Sequence, residues 1–230
     1  MRNEKISEQT PYAVLTVKLS FLTEVLGTAS ANPDLHSEFI ASKAPDAISC
    51  EEEIEAIGVD AYEEKQMTIF PKLPDGTPIL WSYQVRGFLK ESCAMLQRAG
   101  NKAASPATMG IKAYKKTIDG NIFVSPRQIP IDLKGEEIGT LERPLRAQTA
   151  QGERVALAKS EVVPAGSEIT FSLCDIGGGK YIKAVKEWLD YGLFHGLGQW
   201  RNSDKGSFTY EILDEYFIDR KEFADTYCIA

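Results

Sequence analysis

Residues 161–217 constrain the fold more than any other stretch. An alternating apolar segment, a glycine turn, an amphipathic stretch at helical spacing, a loop of spaced glycines and a second alternating segment follow one another there. Val162 and Val163 precede a turn at Pro164-Ala-Gly166, after which Ile169, Phe171 and Leu173 alternate with Thr170 and Ser172. Period two marks a half-buried strand, so 160–175 reads as a hairpin. Gly177-Gly-Gly179 then punctuates, and Ile182, Val185, Leu189 and Leu193 give a helix over 180–194 its apolar stripe. Phe208, Tyr210 and Ile212 share one face of a strand over 206–213.

The loop between that helix and that strand holds Gly196, Gly198 and Gly206 with Trp200, Arg201, Ser203 and Lys205. Glycine lets backbone N–H groups approach a ligand that a Cβ would hold off. Arg201 and Lys205 can neutralise phosphate, and Trp200 offers a stacking face. The loop runs from helix to strand, whereas a dinucleotide turn runs from strand to helix. A flexible connection that happens to contain glycines is the alternative reading.

Upstream, Ala13, Leu15, Val17, Leu19 and Phe21 alternate with Thr16, Lys18 and Ser20, predicting a strand that runs into a turn at Leu26-Gly27-Thr28. Asn32-Pro33-Asp34 is a helix start, and 51–65 reads as an acidic helix. The segments 67–70 and 79–81 flank Asp75-Gly76 as a hairpin. Val85, Phe88, Leu89, Cys93 and Leu96 predict a helix over 82–98 with Ser82 as its N-cap. A short helix over 110–117 carries Lys112, Lys115 and Lys116, a strand follows at 122–124, and 126–133 and 142–158 are proline-punctuated pieces.

Strand–helix–strand near both ends, with a hairpin between, suits an α+β, ferredoxin-like antiparallel sheet with helices on one face. At 230 residues the chain is expected to form one domain over 1–230, with 101–141 as a large central insertion. No run of about 18 apolar residues appears, so no membrane partner is expected. The polar N-terminus lacks the apolar stretch of a signal peptide. Four cysteines without a C-x-x-C pair favour a reducing compartment and no structural zinc. The expected location is cytoplasmic, with no cofactor and no metal.

Net charge is −7, which argues against a nucleic-acid binder at first sight. The charge is unevenly spread, however. Residues 34–64 carry −9 and residues 211–225 carry −4, leaving +6 on the remainder. A narrow basic face is compatible with an acidic protein.

Four segments, in order, resemble one family. The first strand ending in Leu26-Gly27-Thr28, the strand-into-helix segment Ile79…Trp81-Ser82…Arg86-Gly87…Lys90-Glu91, the Glu142-Arg143-Pro144…Glu161-Val162-Val163-Pro164-Ala165-Gly166 stretch and the closing glycine loop look like the RAMP superfamily. These repeat-associated proteins build CRISPR effector complexes. The resemblance implies an RNA-recognition-motif-like domain that grips guide RNA through its phosphates and packs against other RAMP-like subunits. Carried over, Gly27, Arg86, Gly196, Gly198, Arg201, Ser203 and Lys205 line the RNA path, with Trp200 stacking. Lys112, Lys115 and Lys116 contact RNA from the insertion.

The acidity of 34–64 departs from the family pattern and motivates a second reading, a phage- or mobile-element-encoded mimic that binds and inhibits a CRISPR complex. A third is a metal-independent endoribonuclease using His36 or His195 as proton carrier. Capping of the helix end suits His195 better, and solvation suits His36. Asp34 occupies the neighbourhood where cutting subunits of the family carry an aspartate, although N-capping accounts for it. No catalytic residue is assigned. Gly177-Gly-Gly179-Lys180 is not a P-loop, because Cys174 and Tyr181 stand where glycine and Ser or Thr are required. The carboxylates Glu51, Glu52, Glu53 and Glu55 read as a solvated helix face. Arg143, Arg146 and Arg154 give 142–161 a net charge of only +1.

Overall fold

The structure is a computed structural model that describes residues 11–31, 67–100, 104–149, 152–219 and 221–223; side chains are described outside 144–157. β1 (Tyr12–Phe21) forms as its alternation requires, with Ala13, Leu15, Val17, Leu19 and Phe21 all buried. Short strands β2 (Val25–Leu26), β3 (Ala29–Ser30), β4 (Thr68–Ile69) and β5 (Ile79–Trp81) follow. Helix α1 (Ser82–Ala99) buries Val85, Phe88, Leu89 and Cys93. Its N-cap is Trp81 rather than Ser82: the Trp81 N–H donates to the Gln84 side-chain oxygen at 2.7 Å, and Ser82 is buried in the first turn.

Helices α2 (Pro106–Met109) and α3 (Tyr114–Asn121) lead into β6 (Ile122–Ser125) and β7 (Gln128–Asp132). A long ribbon of β8 (Gly139–Thr149) and β9 (Gly152–Val163) precedes β10 (Glu168–Asp175), α4 (Ile182–Asp190) and β11 (Phe208–Ile218).

The main sheet has the order β11-β1-β10-β7-β5, with β6 also paired to β10. All its pairings are antiparallel. Taken in chain order, β1, α1, β6, β10, α4 and β11 make a β-α-β-β-α-β unit whose lateral order is β11-β1-β10-β6. That is the ferredoxin-like arrangement. Apolar residues of α1 and α4 share one core with the inward residues of β1 and β10, so both helices cover the same face. The expected α+β fold stands. Within the stretch 101–141, β6 and β7 belong to the main sheet, while α2 and α3 pack beside α1.

The opposite face of the main sheet is polar from Lys18 onward, while Val14, Cys174 and Ile218 form a small apolar cluster at its other end. Lys18 pairs with Glu211 at 2.7 Å, Ser20 donates to Glu168 at 3.1 Å, and Lys134 bridges Asp132 and Glu168 at 2.8 and 2.6 Å.

A second sheet, β2-β9-β4-β3 with β8 on β9, corrects two expectations. The 160–175 segment is no paired hairpin, because β9 and β10 lie in different sheets. Phe21 captures the turn between them: its carbonyl accepts from Gly166 N–H at 2.8 Å and its N–H donates to Ser167 at 3.0 Å, which seats β10 against β1. Likewise β4 pairs with β3 and β9 whereas β5 pairs with β7, leaving one bridge, Lys72–Pro78, beside the turn at Asp75-Gly76. The α4 stripe also differs. Trp188 is fully buried, whereas Leu193 lies beyond the helix and is half exposed.

Candidate nucleic-acid interface

Two places concentrate cations near glycines: the closing loop 196–206 and the ground between α2, α3 and the start of α4. They differ in what surrounds the charges.

In the closing loop, backbone meets backbone. A Cβ at Gly196 would fall on the carbonyl carbon of Gly206, and one at Gly206 would fall on the Leu197 carbonyl oxygen. Leu197 N–H donates to the Gly206 carbonyl at 2.9 Å, and Gly206 N–H to the Glu24 carbonyl at 2.8 Å. Gly198 lies against Val25 and Leu26 of β2, and Gly27 is buried against the Ile69 backbone of β4. These glycines are therefore required by close packing inside the chain, which accounts for them without a ligand.

The loop cations are also engaged. Arg201 forks onto Glu91 of α1, and Lys205 pairs with Glu24. His195 Nε2 lies 3.0 Å from Glu91 and 3.1 Å from Arg201 Nη1, with its ring beside Phe88 and Tyr191. Burial alone would raise the Glu91 carboxyl, but hydrogen bonds from His195 and Arg201 outweigh it and hold its pKa below the usual value. A general acid or base must face its substrate, and this ring nitrogen faces Glu91. The expected cap at the helix end comes from the His195 backbone N–H, which donates to the Tyr191 carbonyl at 3.1 Å. The Arg143 guanidinium covers the Trp200 ring, so that stacking face is occupied. Ser203 is exposed on a 3-10 turn. Arg86 is half-buried on α1, its Nε enclosed and without a hydrogen-bond partner among the described residues.

Around α2 and α3 the situation reverses. Lys112, Lys115 and Lys116 are exposed and make no ion pair among the described residues; Lys180 before α4 is likewise exposed and without an ion pair, whereas the exposed Lys183 acts electrostatically on Glu187 one turn away. Residues 104–118 and 176–186 together contain six lysines and no carboxylate. Of these six, Lys186 alone forms a salt bridge among the described residues, reaching Glu215 at 2.6 Å.

The local geometry is well fixed. Glu187 of α4 accepts from Ser105 and Thr108, and Trp188 Nε1 donates to Thr108 Oγ1 at 3.1 Å, which docks α2 on α4. Burial would raise the Glu187 carboxyl, yet the hydrogen bonds from Thr108 and Ser105 keep it below the ordinary range. Asp175, 1% exposed, accepts from Gly177 N–H and Tyr181 N–H, both at 2.7 Å, and so sets the turn that presents Lys180. A cleft of about 470 Å³ opens between Pro106, Ile111, Lys112, Thr117, Lys180 and Tyr181.

Sequence reasoning weighed Lys180 only as a P-loop lysine and missed its place opposite Lys112. The usable signal was the absence of carboxylates from two separate segments. Asp34, His36 and the acidic stretch 34–64 lie outside the described residues. No helix among the described residues is long and apolar enough to cross a membrane, and none of their His, Cys, Asp or Glu groups is arranged to hold a metal.

No protein-family model matches the chain, and no curated protein matches it. Among solved structures, it is similar to a chain of the "Type III-B Cmr-beta bound to cognate target RNA", with a TM-score of 0.46 and 11% identity. The match covers 94% of this chain and 64% of that one, so this chain spans somewhat under two thirds of its neighbour's length.

Proposed function

We propose that this protein is a non-catalytic RNA-binding protein of the RAMP backbone type. It holds guide or target RNA by its phosphates and packs with other subunits of a CRISPR effector. The observation that carries the reading is a set of lysines with no ion pair among the described residues: Lys112 and Lys180 line one cleft, and Lys115 and Lys116 lie on α3, which follows Lys112. Phosphate contacts of this kind are independent of base sequence and release counterions.

Filter binding of single-stranded RNA over a salt series tests it. Three to four lysine–phosphate contacts give a log–log slope of about −2 to −3. Flat, negligible binding at low salt would remove the proposal.

A second reading, an inhibitor that occupies a place in a CRISPR complex, draws on the polar sheet face, where Asp132, Glu168, Glu211 and Asp214 outnumber Lys18 and Lys134. Such a face suits a basic protein surface. Affinity purification from cells containing an effector complex, with no effector subunit recovered, would dismiss this reading.

A further inference from the structure

We infer that the cleft between α2, α3 and the start of α4 is a subsite for a nucleoside phosphomonoester, either the terminal phosphate of an RNA or a free mononucleotide. For the RNA case, the inference rests on the RNA-binding reading above.

Two lysines from separate elements line this one concavity, Lys112 from the segment after α2 and Lys180 from the turn before α4. A terminal phosphomonoester carries about −1.5 to −2 charges near neutral pH, whereas an internal phosphodiester carries one. A mouth with two cations and, among the described residues, no carboxylate therefore favours the terminal group.

The remaining walls suit the rest of a nucleotide. Pro106 and Ile111 supply apolar surface, Thr117 stands at the rim and Tyr181 contributes an aromatic ring. Lys180 Nζ stands over that ring, 5.3 Å from its centre, which puts charge and an aromatic group at one corner. The cleft volume falls within the range of about 300–1,000 Å³ common for small-molecule sites. Both cations sit on anchored backbone. Thr117 Oγ1 donates to the Lys112 carbonyl at 2.9 Å, and Asp175 holds the Tyr181 N–H next to Lys180. Little ordering is then required when a ligand arrives.

Fluorescence anisotropy on the full chain tests this, using one single-stranded RNA sequence with a 5′-phosphate, a 3′-phosphate or hydroxyls at both ends, and AMP as competitor. One phosphorylated end should bind about tenfold more tightly than the hydroxyl form, as expected for an added charge-assisted contact. AMP should compete. Lys180→Gln and Lys112→Gln should each abolish the end preference with the circular dichroism spectrum unchanged, while Lys115→Gln should weaken all three RNAs alike.

Equal, salt-sensitive affinity for all three RNAs without AMP competition overturns the subsite and leaves the RNA-binding reading standing. AMP binding that depends on Lys180, with no RNA binding, supports the subsite for a free nucleotide and removes the RNA reading. Binding of neither overturns both.

Discussion

The closing loop and the α2–α3 cleft are built from similar residues, glycines beside cations, and meet opposite fates. In the loop each cation faces a carboxylate contributed from elsewhere in the chain: Glu91 is 110 residues from Arg201, and Glu24 is 181 residues from Lys205. Among the described residues that line the cleft there is no acid. A positive side chain is available to a polyanion only where folding leaves it without a partner, so a count of cations along a loop overstates its affinity. The glycines divide less cleanly, because a Cβ at Gly110 in the cleft lining would also lie 3.0 Å from the Pro106 carbonyl oxygen. In the loop they admit neighbouring backbone, whereas a Cβ at Gly120 in α3 would meet open space.

The comparison breaks most visibly at Gly206. Gly206→Ala adds a Cβ against the Leu197 carbonyl at a φ of +74°, and should lower the unfolding free energy by about 3 kcal/mol or more. Gly120→Ala should change it by less than about 1 kcal/mol. Urea denaturation of the two variants decides, and equal effects would dissolve the contrast. Next in size, combining Lys112→Glu, Lys115→Glu and Lys116→Glu should weaken RNA binding about 100-fold at low salt. Arg201→Gln with Lys205→Gln should weaken it less than about threefold; filter binding that ranks them the other way would restore the loop as the interface. The loop pair should instead show in stability, with Arg201→Gln costing about 0.5–1 kcal/mol, as expected for a partly exposed ion pair.

The smallest effect is on pH. Glu91 and Glu187 both have pKa values below the usual 4.5 in the folded chain. Their contribution is present above that value and is lost as pH falls through the folded values. The urea midpoint should therefore drop between pH 6 and pH 3.5, less steeply in Glu187→Gln.

Local periodicity was enough to read β1, α1, α4 and β11, since each buries one face at a period of two or about 3.6. Their order along the chain also implied the main sheet. Pairing partners were harder. β9 alternates and ends at a proline–glycine turn like any hairpin arm, but the backbone of Phe21, far away in sequence, decides that β10 turns towards β1. The β8–β9 ribbon stayed hidden because Pro144 interrupts the pattern of β8. Trp188 is absent from the stripe named from sequence, and its burial follows from Thr108, distant in the chain, which accepts its indole hydrogen bond. At the interface the cations were legible and their neutralisation was not, because ion pairing depends on contacts that no window of sequence contains.

One consequence concerns assembly. β11 ends the main sheet, so among the described residues one side of its backbone has no neighbouring strand. Its pairing with β1 slips at Thr16 and Val17, and Glu211, Asp214 and Glu215 stud its length. Irregularity and like charge on a border strand deter two copies from zipping together. Lys18 and Lys186 already neutralise Glu211 and Glu215, so a strand that extends the sheet on this side meets Asp214 as the carboxylate without a salt bridge among the described residues.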